Sequence, residues 1–294
     1  MLAYAKVNLG LRVGPKRPDG YHEVRTTLCA ISLHDALVFA PRAHGFTLSV
    51  DGPEARGVPR TRGNLVLRAA HALAAELGET SGAAIRLTKR VPHGAGLGGG
   101  SSDAAATLRG LALLWRRRVP RARLAALGAT LGSDVPFFLG PSPAFATGRG
   151  ERLTPLARLI PALRFVIVVP RVAISTGSTY GRYTIPKSRL TEWKRVARLL
   201  QLRPESVAVA KFKRNFSNDL EQVVLPRTPA VREAFTALRA SGVEAARMSG
   251  SGSAVFGISV SARAQVRAFA ELSSTGHRVF VARSMRAGSR PRRG

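Results

Sequence analysis

The sequence is short of cysteine, of aromatic and acidic residues, and of long apolar runs. One cysteine, Cys29, in 294 residues excludes an intrachain disulfide framework and a cysteine-based zinc site. It suits a reducing, cytoplasmic compartment. No apolar run approaches the roughly 18–20 residues of a membrane span. The N-terminus interleaves polar and apolar residues from Lys6 onward, unlike a secretory signal or a transit peptide. No membrane partner is therefore expected. The six histidines are scattered without a His-Glu-x-x-His spacing, so no structural metal is expected either.

Acidic residues number 17 against 46 basic ones, 39 of them Arg, for a net charge of +29. Two readings follow: a polyanion or nucleic-acid binder, or an arginine-rich solvated surface. The arginines run from Arg12 to Arg293, with clusters only at Arg116–Arg123 and in the C-terminal tail. Aromatics are 6% and do not interleave with these clusters, so no base-stacking surface is indicated. An obligatory nucleic-acid partner is not expected, and a small anionic substrate fits either reading. At 45% hydrophobic residues, the chain is long enough for two domains with cores of their own.

Strand and helix patterns alternate. Ala3, Ala5, Val7, Leu9, Leu11 and Val13 share one face of a half-buried strand over 2–13, leaving Lys6 and Asn8 side by side on the other. A Pro-Asp-Gly turn follows at 18–20. Strands are expected at 25–33, 35–41, 83–91, 163–169, 254–259 and 277–282. Helices are expected at 64–77, 102–116, 229–241 and 262–273. Residues 184–218 look least regular, and the last ten look frayed.

The strongest signal is Val-Pro-His-Gly-Ala-Gly-Leu-Gly-Gly-Gly-Ser-Ser-Asp at 91–103. A strand runs into a loop holding Pro92, Gly94, Gly96, Leu97, Gly98, Gly99 and Gly100, and a helix follows. Bare glycines let backbone N–H groups approach a ligand, and a helix N-terminus adds partial positive charge; phosphate is the usual guest. Ser101, Ser102 and Asp103 read as N-caps of that helix, and the two serines equally as contacts to a β-phosphate or its magnesium. The loop meets the letters of the dinucleotide fingerprint, but no acidic residue lies between Asp103 and Asp134 to hold a ribose. It is no P-loop either, since Gly100 stands where that loop needs lysine. The positive charge must come from elsewhere.

This loop resembles the second motif of the GHMP small-molecule kinases. Ala-Lys-Val-Asn-Leu at 5–9, Arg-Pro-Asp-Gly-Tyr-His-Glu at 17–23, Leu-Gly-Ser-Asp-Val-Pro-Phe-Phe at 131–138, Asn-Asp-Leu-Glu at 218–221 and Met-Ser-Gly-Ser-Gly-Ser at 248–253 resemble further motifs of one branch, in order. That branch phosphorylates 4-diphosphocytidyl-2-C-methyl-D-erythritol for non-mevalonate isoprenoid synthesis. Residues 182–215 do not align by eye, His93 stands where a small or apolar residue is expected, and the basic tail has no counterpart.

The resemblance implies a two-domain α+β kinase. Residues 1–154 would be the N-terminal, ATP-binding domain and 155–294 the C-terminal one, with ATP and substrate meeting in a cleft between them. Asp134, by itself readable as a helix N-cap, would accept or orient the substrate's hydroxyl proton. Lys6, by itself a solvated strand lysine, would hold Asp134 ionised and stabilise charge on the phosphoryl group. Asn8 would contact substrate. Tyr21 and His22, otherwise a core tyrosine and a surface histidine, would form a cytosine pocket with Tyr180, for which Tyr183 competes. Asn64 and Lys89 are candidates for the adenosine side, and Ser249–Gly252 would close over the reacting groups. ATP and Mg²⁺ are the implied cofactors, and the chain would act as a monomer or weak homodimer. Two rivals stand beside this reading: another kinase of the superfamily, for homoserine or mevalonate, and a basic RNA-binding protein.

Overall fold

The computed structural model describes residues 1–156, 162–186 and 217–285. Its packing divides the chain into two compact units. One holds Met1–Lys6, Ala30–His93 and Leu97–Gly140, the other Val7–Cys29, Gly94–Gly96 and Pro141–Gly294. Two long paired strands, β1 (Leu2–Lys16) and β2 (His22–Arg42), contribute residues to each. The expected apolar face of β1 is buried from Ala3 to Val13, but Lys6 and Asn8 on its other face are buried too. The middle of β1 is therefore covered on both sides, and a solvated Lys6 is excluded. No break divides 25–33 from 35–41: β2 runs through as one strand and carries Asp35, its side chain wholly buried, in mid-course. The two expected strands left only His34 between them; in the structure His34 packs edge-on against Tyr4.

In the first unit β2 pairs antiparallel with β4 (Gly82–Thr88), from Ala36↔Thr88 to Arg42↔Gly82, and β3 (Phe46–Asp51) lies parallel to β4. Helices α1 (Leu65–Leu77) and α2 (Gly99–Leu114) pack on each other, and α2 also meets α3 (Arg121–Leu131) and α4 (Val135–Leu139). Leu37, Val66, Leu73, Ile85, Leu108 and Leu111 lie in one core. The first helix starts where expected, with Asn64 as N-cap accepting from Val66 N at 2.9 Å. The second starts earlier than expected. Its N-cap is Gly98, left-handed at φ +71°, and no side chain caps it. Ser101, Ser102 and Asp103 thus lie inside the helix and are not N-caps. A glycine able to adopt positive φ opens the helix and leaves its first N–H groups without a side-chain acceptor.

In the second unit β7 (Arg164–Val168), β8 (Ala245–Met248), β9 (Val255–Ser259) and β10 (Val279–Arg283) form an antiparallel sheet in the order β10-β7-β9-β8. Helices α7 (Pro229–Ala240) and α8 (Ala262–Ser274) pack on it. The core takes Leu11 and Val13 from β1 together with Val166, Leu238, Met248 and Val255. Thr26–Leu28 of β2 pairs with β5 (Ala144–Thr147), which turns into β6 (Arg152–Pro155). The short helices α5 (Thr176–Gly181) and α6 (Glu221–Arg227) complete the described elements. Most of 184–218 and nearly all of the tail expected to fray fall outside the described residues.

The first unit buries an unusual charge cluster. The Lys89 ammonium donates to Asp35 Oδ2 and, at 2.8 Å, to Asp103 Oδ2. Lys89 is 1% exposed, so this is a fully desolvated lysine held by two carboxyls. Asp35, held by the same ammonium, disfavours a second negative charge on Asp103. Asp103 Oδ1 is buried without a partner, which disfavours its charged form. Burial, with Asp35 adding to it, pushes the Asp103 carboxyl up to about 7. One proton on the pair leaves a neutral cluster, the least costly charge state away from water.

A carboxyl raised in the folded state binds its proton where the unfolded chain has already lost it. Its stabilising contribution is complete below the unfolded value near 3.8 and fades as pH rises through about 7. Asp103→Asn should therefore flatten the fall in urea midpoint between pH 5 and pH 8 relative to the parent chain. An unchanged fall would show that Asp103 is ionised throughout that range.

Candidate active site

The loop's exit, β1 and the start of α4 converge within the first unit. Lys6 N donates to Leu97 O at 2.9 Å, so the strand docks edge-on against the last turn before α2. A Cβ on Gly98 would stand 2.8 Å from Phe138 Cζ and 3.0 Å from Lys6 Cγ, so only glycine fits between those side chains. Lys6 is 4% exposed and its Nζ lies 3.5 Å from Asp134 Oδ2. Asp134 occupies the N-cap position of α4, yet its side chain makes no capping hydrogen bond. The carboxylate is instead turned to Lys6 and stays 36% exposed, half open to a ligand. A buried ammonium beside a half-open carboxylate, next to uncapped helix amides, can hold an anionic phosphoryl group and accept a proton.

Gly99 and Gly100 stay with Gly98 in the first unit, whereas Gly94 and Gly96 belong to the second. A Cβ on Gly96, at φ +77°, would lie 2.2 Å from Ser249 O, so two glycine turns press together backbone to backbone. Ala254 N donates to Ala95 O, and Ser249 Oγ donates to Gly96 O at 2.9 Å. The 249–252 turn is held in turn by Asn218 Nδ2, which donates to Met248 O and Gly250 O. Glu221 accepts from Met248 N; burial raises its carboxyl above the ordinary range. Sequence reasoning singled out this turn and the Asn-Asp-Leu-Glu segment separately, and the structure joins them.

Tyr21, His22 and Tyr180 also lie in the second unit. Tyr21 is 54% exposed, which rules out a core tyrosine, and the Arg149 guanidinium lies 5.0 Å from its ring centroid. His22 Nδ1 donates to Gly14 O at 2.9 Å. In the neutral ring that leaves Nε2 as an acceptor. The His22 ring lies 6.0 Å from Tyr180 and 6.3 Å from Tyr183. Of these two, Tyr183 is buried with its hydroxyl on Asp219, whereas Tyr180 is half-buried. That favours Tyr180 as the open aromatic face. Asn8 donates to Thr26 Oγ1 at 2.8 Å.

Two residues expected at the nucleotide have structural partners. Asn64 Oδ1 caps α1 and its Nδ2 donates to Pro59 O. Lys89 is sealed beneath Gly99, whose Cβ would stand 2.9 Å from its Nζ. Pro92 and Leu97 are buried and shape the loop, Ser102 is buried, and Ser101 is half-buried beside Gly100. Sequence reasoning missed Asp35 and Arg149. Each is distant in sequence from its partners, and nothing local marks it. Among the described residues no three His, Cys, Asp or Glu side chains gather to hold a metal. The oxygens of Asp134 and Ser101 suit a hard ion such as Mg²⁺ arriving on a nucleotide's phosphates.

With this geometry in view, known proteins supply the comparison. The model of the GHMP kinases N terminal domain matches residues 64–140, and that of the GHMP kinases C terminal matches 192–278. A 4-diphosphocytidyl-2-C-methyl-D-erythritol kinase of Salinibacter ruber is 42% identical over 261 residues, 87% of this chain and 88% of its own. One of Pelotomaculum thermopropionicum is 40% identical, covering 96% of both chains. A crystal structure of 4-(cytidine 5'-diphospho)-2C-methyl-D-erythritol kinase superposes with a TM-score of 0.74 at 37% identity, over 97% of this chain and 98% of that one. The chain therefore belongs to the GHMP kinase family, among its 4-diphosphocytidyl-2-C-methyl-D-erythritol kinases.

Proposed function

We propose that this chain transfers the γ-phosphoryl group of ATP to a hydroxyl of 4-diphosphocytidyl-2-C-methyl-D-erythritol, in the methylerythritol phosphate route to isoprenoid precursors. The observation that carries the reading is the Lys6–Asp134 pair against Gly98, in a chain 42% identical to a relative bearing that activity's name. Asp134 accepts the hydrogen bond of the substrate hydroxyl and takes its proton as the oxygen bonds phosphorus and the bond to the β-phosphate oxygen breaks. An ordinary Asp, near 3.9, is a weak base for an alcohol, so alignment of the oxygen matters more than basicity in a loose transition state. Lys6 keeps the carboxylate ionised and offsets charge on the transferring group.

The Gly94–Gly100 loop and the first turn of α2, with Ser101, cradle the phosphates, and a Mg²⁺ ion held on them beside Ser101 and Asp134 would neutralise part of their charge. Tyr21 and Tyr180 offer aromatic faces to the cytosine, and His22 Nε2 accepts from its exocyclic amine. Asn8 fixes a donor on the same face of β1 as Lys6. Asn64 and Lys89 serve the nucleotide indirectly, by fixing the starts of α1 and α2. The functional division falls near residue 154, with nucleotide chemistry before it. No helix among the described residues is long and apolar enough to cross a membrane, which suits work on small polar metabolites in the cytoplasm.

A coupled ADP-release assay with Mg-ATP should show turnover of the cytidylyl alcohol, and none of homoserine or mevalonate. Turnover of homoserine alone would move the chain to another branch's chemistry. Asp134→Asn should cut kcat by at least about a hundredfold, within the range for general acid–base groups, while ATP affinity measured by calorimetry holds within about twofold. Near-normal kcat would remove Asp134 from the reaction. Tyr21→Ala should raise KM for the cytidylyl substrate about tenfold, as expected for a lost stacking face, and leave KM for ATP alone. Equal rises in both would put the pocket elsewhere.

A further inference from the structure

The buried Lys89–Asp35–Asp103 cluster stands directly under the glycine loop, and no step of the reaction uses it. Its connections fall on the two flanks of that loop. On the strand side, Asp35 Oδ1 accepts from the backbone N–H groups of Arg90 and, at 2.8 Å, Val91, the last residues before Pro92. On the helix side, Lys89 Nζ bonds Asp103 in the first turns of α2 and closes against Gly99, where a Cβ would leave 2.9 Å. Asp35 itself is fixed in the middle of β2, next to Ala36, the first residue of the register with β4.

We infer that Lys89, Asp35 and Asp103 act as positioning residues that hold both flanks of the glycine loop at a fixed separation, so that its amides meet ATP phosphate already aimed. The reason is physical. A helix that starts at an uncapped glycine has no side chain to fix its first turn, and a glycine-rich loop loses more backbone entropy on ordering than any other. A cation shared by two carboxyls, one reaching back to the strand's backbone and one rooted in the helix, restrains both flanks from below and leaves the upper face free for the ligand. In a buried setting such charge-assisted bonds are short and directional. The aspartate pair is needed because one carboxylate could satisfy the lysine without joining the flanks.

This inference rests on the nucleotide reading of the loop, and its test separates the two. Asp103→Leu removes the helix-side anchor at similar volume, and Asp103→Asn retains an oxygen acceptor for Lys89. Leu73→Ala, in the buried core of the same unit, is the control for general loss of stability. Two quantities are read: hydrogen exchange of the backbone amides from Leu97 to Ser102, with no ligand present, and the calorimetric Kd for ATP. Asp103→Leu should speed exchange in that segment and weaken ATP at least about tenfold, the scale of a lost charge-assisted bond, with KM for the cytidylyl substrate unchanged. Asp103→Asn should restore both readouts to within about threefold of the parent, and Leu73→Ala should leave both unmoved at an equal or greater drop in melting temperature. Should Asp103→Leu fail to fold, Asp35→Asn, which weakens the strand-side anchor, should give the same pair of changes. Loop exchange and ATP affinity that follow melting temperature across all variants would overturn the inference. A parent chain that binds no ATP would overturn the kinase reading, while the exchange data would still decide the restraint.

Discussion

A glycine loop without a lysine of its own needs a neighbour to bring positive charge to it, and the hydrogen bond from Lys6 N to Leu97 O sets a lysine beside this one. That bond fixes the first strand against the loop, and the side chain of the same residue then has one direction left, over Gly98 toward Asp134. A Cβ on Gly98 would press on the Phe138 ring and on the Lys6 stem, so glycine there leaves the cation its place. The charge is placed by backbone geometry first and by side-chain reach second. A lysine in the loop would put its charge on a flexible stem; a strand lysine beneath buried neighbours loses little freedom when it acts.

Asp134 illustrates how one position can serve two reactions to its surroundings. An aspartate two residues before proline commonly caps the helix it precedes. Here it sits at the N-cap of α4 but withholds its side chain from the helix amides. The short helix forgoes a stabilising bond of about 1 kcal/mol, and the carboxylate stays with the cation and open to a ligand. Where a local rule of stability is broken without a structural replacement, function is the usual beneficiary.

Much of this was legible in the sequence, for reasons that differ by residue. The first strand, α1 and the glycine loop were readable because their signals are periodic or local: alternation at Ala3–Val13, an Asn cap, five glycines in seven residues. The order of motifs pointed to Asp134 and Tyr21 as site candidates, which no local pattern could suggest. What stayed hidden depends on contacts between segments far apart. Asp35 stood at the start of an expected strand with nothing local to mark it, and its partners at 89–91 arrive only through the register of β2 with β4. Asp103 read as a cap because it follows two serines, but Gly98 starts the helix early and turns it inward. Lys89 was expected on the adenosine side, and its two carboxyl partners, Asp35 and Asp103, were not deducible from the residues around it. The short helices and strands that escaped notice, α6 and β8 among them, are too brief for periodicity to register.

Acidic residues are scarce in this chain, 17 against 46 basic ones, and their use is correspondingly revealing. Asp35 and Asp103 are taken inside by Lys89, Asp219 by Arg12, Tyr183 and the Val13 amide, Glu221 by the Met248 amide. These carboxyls are committed to the frame, not to balancing the surface. The uncompensated charge therefore sits outside, where a net positive field draws anions over a distance set by ionic strength. Such a field discriminates poorly between one phosphate ester and another. Selection must then come from short-range groups that the field does not supply, the role proposed above for Tyr21, for His22 and for Asp134. A basic surface and a specific site are thus separable in principle: a field can set how often anions arrive without setting which of them reacts.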